Sequence, residues 1–452
     1  MDKRRKRLKA ESKHNIRSIE NLLPDEIIID IFSRLPFKSV LECRRVCKTW
    51  RTLIYNPSFA RLYLRRSRPQ LLQLNDDDKH NYNDNLDSNI NGAGIKLGLG
   101  LLFLIRLSDK DKGNVRMYYG EYDNDNIDEQ YFSYKTLKKI NHPPINKPIG
   151  YVMVGSCNGL ICFSVHQYPI FDPIYICNPI TREYVLLPTL EKGCEHWKCH
   201  MVSGFGFEPS SNEYKVVRIN YHYDQSFGRV EVYTLGSGNG WRDKGKISWS
   251  LSTLDHEYEY PPPSPGIFSN GSLYWLNKEM MIVAFDLADE EFCIVTPPPC
   301  FLPAGYDKSK HCFQLQELGG SLCVVHQERG ERVDIWSLKK TKNTTSNKMN
   351  EKEENGQAWT WNRELSITWE GQHENEYEPF AFTKSGEVLL WYNHRILARY
   401  DPKTSTLKKL VEDEDIMDLR FFKGILHMNS FVSLKAIGEK CKTRRRYLCK
   451  DE

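Results

Sequence analysis

The chain has 452 residues, more than one ordinary hydrophobic core serves, so the length calls for two or more domains or a large repeat architecture. Its 63 Lys plus Arg stand against 59 Asp plus Glu, a formal charge of +4 spread over the whole length, which excludes a broad electropositive field for nucleic acid or an anionic membrane. The longest apolar run, Leu97 to Ile105, is interrupted by Gly98 and Gly100 and falls far short of the roughly 20 residues a bilayer span needs, so it reads as buried strand.

Residues 1–15 form a basic tail with Lys3, Arg4, Arg5, Lys6, Arg7 and Lys9, and no apolar stretch follows. This is not a secretory signal, and it predicts a protein of the nucleus and/or cytoplasm, with the tail a candidate import signal. The 13 cysteines are then expected to be reduced. The sequons at Asn270 and Asn343 read as a hairpin turn and a polar loop.

A helical module is expected over residues 18–66. Ile27, Ile28, Ile31 and Leu35 recur at helical spacing behind Pro24, with Asp25 and Glu26 in the positive first turn, and Pro36 ends the segment. Ser39 and Glu42 read as a capping box opening a second helix with Val40, Leu41, Cys43, Val46 and Cys47 on its apolar side. Trp50, Leu53 and Ile54 belong to a third. Three short helices cannot bury this many large side chains alone, so the surplus needs a partner surface.

Residues 70–98, rich in Asp, Asn and Gly, read as a polar linker or long loop. From 99 to 436 the texture is short alternating strands between Gly, Pro, Asn and Asp. Five phrases share one pattern, an apolar strand running into a polar turn: Ile174 to Pro179, Val230 to Leu235, Ile282 to Leu287, Val333 to Leu338 and Ile396 to Pro402. Aligned on Asn178, Thr234, Asp286, Ser337 and Asp401 they repeat every 56, 52, 51 and 64 residues, the last step containing a polar insertion at 340–357. A Gly-started strand precedes three of them, at Gly271, Gly320 and Gly386.

A unit of about 50 residues that cannot bury both faces alone predicts a β-propeller of about six blades, in preference to paired β-sandwiches. Met117 to Asp123 and Phe421 to Leu434 are candidates for a further unit and a closing strand, and 437–452 is assigned to a basic solvated tail. The fold class is therefore a small all-α three-helix module followed by a large all-β domain.

The run Leu22-Leu23-Pro24-Asp25-Glu26, then Ile31-Phe32-Ser33-Arg34-Leu35-Pro36, then Val46-Cys47-Lys48-Thr49-Trp50 closely resembles the F-box family. The resemblance implies docking on a Skp-type adaptor, and through it on a cullin, by Leu22, Leu23, Pro24, Ile27, Ile28, Ile31, Leu35, Pro36, Val40, Leu41, Val46, Cys47, Trp50 and Leu53. Within this set Trp50 and Leu53 serve equally well to hold the helices together. Downstream, Cys157-Asn158-Gly159-Leu160, Asn178-Pro179-Ile180-Thr181-Arg182 and Gly204-Phe205-Gly206-Phe207 before Tyr214-Lys215-Val216-Val217 resemble the F-box-associated domain of plant proteins. That resemblance implies a kelch-like propeller that selects an unidentified protein substrate for ubiquitination. Double-glycine kelch signatures are almost absent, Gly319-Gly320 being the clear case, so the likeness is one of architecture.

Other chemistry is weaker. Cys194, Glu195, His196, Cys199 and His200 crowd one stretch but lack paired zinc-ligand spacing, so neither metal nor any other cofactor is expected. His311 beside Cys312 and His326 near Cys323 lack the third group that orients a catalytic base. The expectation is a non-catalytic substrate receptor. The rivals are a propeller enzyme or ligand-binding protein with a helical appendage, and an adaptor-bound scaffold with no ligase role.

Overall fold

The computed structural model describes residues 23–71, 99–107, 115–122, 138–139, 151–165, 172, 174–190, 199–222, 225–251, 265–277, 279–301, 310–342, 357–368, 376–383, 385–393, 396–410 and 419–443. Four helices come first: α1 (Asp25–Ser33), α2 (Phe37–Val46), α3 (Lys48–Ile54) and α4 (Pro57–Leu71).

Pro24 opens α1 at φ −57° and ψ 149°, and its carbonyl accepts from the amides of Ile27 and Ile28 at 3.0 and 3.2 Å. Pro36 opens α2 in the same way, and no side chain caps it. The Ser39–Glu42 capping box is therefore corrected: α2 starts at Phe37 because the proline ring presets the entry, which leaves Ser39 inside the first turn. Cys47, at φ −148°, breaks the chain between α2 and α3, and its Sγ accepts from the Trp50 amide at 3.4 Å.

The fourth helix extends the three expected. Asn56 Oδ1 caps it by accepting from the Ser58 amide at 2.9 Å, and Pro57 stands at its first position. Phe59, Ala60, Tyr63 and Leu64, at spacings of three and four, are all buried. Arg66 closes α4 onto α1 through Asp30 Oδ1 at 2.6 Å and the Ser33 hydroxyl.

Among the described residues the β domain forms five sheets, of four, eight, four, four and five strands, and because the eight-stranded sheet is two antiparallel four-stranded units joined edge to edge, it divides into six blades. Blade 1 pairs Leu419–Leu426 from the chain's far end with Leu99–Leu107, Val115–Tyr122 and Lys138–Lys139. Blade 2 holds Tyr151–Cys157, Leu160–Val165, Ile174–Asn178 and Glu183–Leu186. Blade 3 holds Cys199–Glu208, Glu213–His222, Gly228–Thr234 and Trp241–Ile247. Blade 4 holds Pro265–Ser269, Ser272–Leu276, Ile282–Asp286 and Phe292–Val295. Blade 5 holds His311–Leu318, Ser321–Glu328, Arg332–Lys342 and Gln357–Thr368, and blade 6 holds Tyr377–Phe382, Val388–Tyr392, Ile396–Asp401 and Thr406–Lys409.

The five repeated phrases are the third strands of blades 2 to 6, and the Gly-started segments are second strands. The first strands of blades 3 and 4 pair in parallel, Pro265 with Ser203 and Gly266 with Gly204. Glycine is needed here because a Cβ on Gly204 or Gly266 would press into the Trp275 ring. The strand at 419–426, expected as the closing element, joins the C-terminal end of the chain to blade 1 and seals the ring.

Two indoles tie blades across their outer rims. Trp241 Nε1 of blade 3 donates to the Pro188 carbonyl beyond blade 2 at 2.8 Å, and Trp361 Nε1 of blade 5 donates to the Thr296 carbonyl beyond blade 4 at 2.7 Å. Asn158-Gly159 and Asn270-Gly271 make the expected tight turns, with φ 50° and 81°, and 48° and 83°.

The assignment of 437–452 to a solvated tail is corrected over 437–443, while 444–452 lie outside the described residues. Lys442–Thr443 pairs with Tyr184 and Glu183 as a fifth strand on blade 2, because the outer strand Glu183–Leu186 leaves an edge to be covered.

Candidate functional site

The helical module divides its apolar residues by face. Phe32 and Trp50 meet edge to face at 4.9 Å, and Val40, Ile54 and Phe59 are fully buried beside them. On the outside lie Leu23, Ile27 and Ile31, spaced four apart along and just before α1, together with Val46 at the end of α2. Their exposures are 48, 47, 43 and 65 %. Side chains of this size left in water mark an interface, since burying each is worth about 1.5–3 kcal/mol.

The fourteen residues expected to dock on the adaptor therefore separate. Leu23, Pro24, Ile27, Ile31, Pro36 and Val46 are exposed, and Leu35, Leu41, Cys47 and Trp50 are half-buried. Ile28, Val40 and Leu53 are placed inside the core and not on the surface, because they fall on the faces that α1, α2 and α3 turn toward one another. Leu22 lies outside the described residues.

The module is anchored to the propeller through residues 428–441, which follow the closing strand. Phe431, 1 % exposed, projects from this segment into the helices. Its ring centroid lies 4.8 Å from Phe37, 5.5 Å from Phe59 and 5.3 Å from Tyr63. Burial pushes the Tyr63 hydroxyl's pKa well up, so this cluster is uncharged. Blade 2 holds the segment from the other side: Asn178 Nδ2 donates to the carbonyls of Ser430 and Val432 at 3.1 and 2.7 Å, while its Oδ1 accepts from the Ile180 amide at 2.8 Å.

Sequence reasoning missed this anchorage. Asn178 stood out as a marker of the repeat and as part of a family likeness, Gly159 as part of that likeness and as a turn, and nothing near Phe431 distinguishes it from an ordinary strand residue.

Several buried titratable groups are held in their neutral forms. Ser156 Oγ and His427 Nδ1 are 2.8 Å apart, yet burial holds the His427 pKa down to about 4, which makes it a weak base. Burial pushes the thiols of Cys177 and Cys300 up to about 12, far from a reactive thiolate. His311 Nδ1 and His326 Nε2 face each other at 3.1 Å, with His326 stacked on Phe313. Of the crowded stretch at 194–200, residues 194–198 lie outside the described residues, and His200 stacks on Tyr221 at 4.7 Å. Among the described residues no group of three or more His, Cys, Asp or Glu gathers to hold a metal.

A small helical module that exposes one apolar face and is mounted on a propeller defines a two-part interaction protein. The chain belongs to the family of the F-box associated beta propeller domain, which matches residues 123–432, and it carries an F-box-like domain over 21–65. It is similar to an F-box protein of Arabidopsis thaliana, 28% identical over 438 residues, covering 86% of this chain and 87% of that one. An F-box/kelch-repeat protein of the same plant is 24% identical over 76% of this chain and 79% of its own length. F-box protein CPR1, also of Arabidopsis thaliana, is 27% identical over 70% and 69%. Among solved structures, YCF48 bound to a D1 peptide aligns with a TM-score of 0.32 at 8% identity over 71% of this chain and 83% of that one, a likeness too low to carry any argument.

Proposed function

We propose that the chain is the substrate-recognition subunit of an SCF-type (Skp-cullin-F-box) ubiquitin ligase, acting in the nucleus and/or cytoplasm. The observation that carries this reading is the exposed row Leu23, Ile27, Ile31 and Val46 on a module whose other large apolar side chains are buried or half-buried among the described residues. This row is the surface for a Skp-type adaptor, which connects to the cullin. Ile28, Val40 and Leu53 support it from behind.

The chain performs no chemistry itself in this reading. It holds a protein substrate near the charged ubiquitin carrier and raises the local concentration of the substrate's lysines. Recognition falls to the loops of the propeller, which carry variable side chains on a rigid scaffold.

The test is capture of a purified Skp-type adaptor by the full chain, wild type beside Ile27→Asp with Ile31→Asp. Wild type retains the adaptor and the double variant loses it at unchanged thermal stability. Equal retention by both, or by neither, sinks the docking claim and reopens the propeller-enzyme reading. Retention without ubiquitination of any bound partner leaves a scaffold.

A further inference from the structure

We infer that residues 428–441 form a strut that fixes the angle between the helical module and the propeller, with Phe431 as its positioning residue. The consequence for ubiquitin transfer rests on the function proposed above, whereas the fixed angle does not.

The strut is held at both ends by contacts of different kinds. On the helical side the Phe431 ring fills the space between α2 and α4, touching Phe37, Phe59 and Tyr63. On the propeller side Val432 and Leu434 join apolar side chains of blades 2 and 3, and polar grips from the same two blades add to them. Asn178 of blade 2 takes the carbonyls of Ser430 and Val432, and Glu183 Oε1 accepts from the Ser433 hydroxyl at 3.0 Å. At blade 3 the Glu439 carboxylate accepts from the Gly236 amide at 2.7 Å and from the Tyr233 hydroxyl at 3.3 Å.

Two glycines make room for this seating. A Cβ on Gly159 would collide with Ser430, and one on Gly236 would collide with the Ile437 carbonyl, and both glycines have positive φ. Ser430 and Leu434 are completely buried. A segment gripped at several points by two blades and plugged into a third body cannot pivot without breaking buried contacts. The main-chain connection at 72–98, in contrast, is a long stretch rich in Asp and Asn.

The chemistry gives this angle a use. In transfer, a substrate lysine amine attacks the thioester carbonyl of the carried ubiquitin, an isopeptide bond forms, the C–S bond breaks, and the carrier's thiol leaves with the proton. The rate depends on how often the amine and the thioester meet. A fixed angle keeps one set of substrate lysines in range, and a loose one dilutes them over a larger volume.

The experiment places genetically encoded spin labels at the exposed positions Lys48 on α3 and Lys403 on blade 6, in the full chain, alone and bound to purified Skp-type adaptor. Wild type gives one narrow distance distribution in both states. Phe431→Ala broadens it about twofold or more while the adaptor is still retained, and Phe431→Leu restores most of the narrowing. Asn178→Ala combined with Glu439→Ala, which removes one grip from each blade without touching the helices, broadens it and covers the case in which Phe431→Ala unfolds the module. A broad wild-type distribution, or narrow ones in both Phe431→Ala and the Asn178→Ala, Glu439→Ala double variant, overturns the strut. Loss of adaptor by wild type with narrow distances overturns the docking reading alone.

Discussion

Ser156 Oγ and His427 Nδ1 lie 2.8 Å apart, 271 positions separated in sequence, where the segment leaving the closing strand crosses the first strand of blade 2. Burial holds the His427 pKa at about 4, against an ordinary value of 6.5. Between these values the unfolded chain binds a proton that the folded chain does not, so stability must rise with pH across pH 4 to 6.5. His326, also held at about 4 by burial first and by His311 second, adds in the same direction. The slope is about 1.4 kcal/mol per pH unit for each fully neutral histidine. Chemical denaturation at pH 5.0 and 6.5 should show the rise, and His427→Asn should remove about half of it; an unchanged slope in that variant rejects the assignment.

Glu290 gathers three cations: Lys215 Nζ at 2.9 Å, Arg242 Nη1 at 2.9 Å and Lys244 Nζ at 3.1 Å. Burial would raise its pKa, but these hydrogen bonds prevail and bring it down to about 2. Lys215 and Glu290 are both only 7 % exposed, so Glu290→Gln takes the nearest carboxylate from a buried ammonium, leaving it the Leu287 carbonyl at 2.6 Å, and should cost about 3 kcal/mol. Arg242→Met, at a more exposed partner, should cost much less. Urea titrations of the two variants decide, and equal costs would contradict the burial argument.

Gly159→Ala introduces a Cβ at φ +81° and into Ser430 at once. A loss of about 2 kcal/mol or more is expected, from backbone strain and from displacement of the strut. Asn270-Gly271 supplies an internal control, since the nearest atom to a Cβ on Gly271 is Pro209 Cδ at 4.0 Å. Gly271→Ala should therefore pay only the conformational part. Differential scanning of both variants should show the larger drop at Gly159.

Trp241→Phe and Trp361→Phe keep most of the ring but remove one indole donor each, at Pro188 and Thr296. Each should lower stability by about 1 kcal/mol. Because the two bonds tie different pairs of blades, the double variant should show the sum. A large departure from additivity would mean that the two rims are coupled through the ring.

Val40→Ala and Val46→Ala separate structure from surface within one helix. Val40 is 0 % exposed and should cost about 2 kcal/mol, while Val46, 65 % exposed, should leave stability within about 0.5 kcal/mol. The melting temperatures of the two variants, measured side by side, are the check, and a comparable loss at Val46 would remove it from the exposed face.

Much of this protein was legible in its sequence because local rules dominate there. Proline 24 and the spacing of Ile27, Ile28 and Ile31 dictate α1, and the recurrence of apolar strand and polar turn from Ile174 to Asp401 dictates the blades. Asn-Gly pairs dictate their turns through φ alone. The candidate site was legible as a set of residues but not as a surface: Ile27 and Ile28 are neighbours of one type, and only the packing of α2, α3 and α4 sends one to water and the other to the core. The seating of Phe431 among Phe37, Phe59 and Tyr63, and the hold of Asn178 on Val432, join positions hundreds of residues apart. Such contacts carry no period and no spacing, so they exist only once the ring has closed and brought the chain's end back to its beginning.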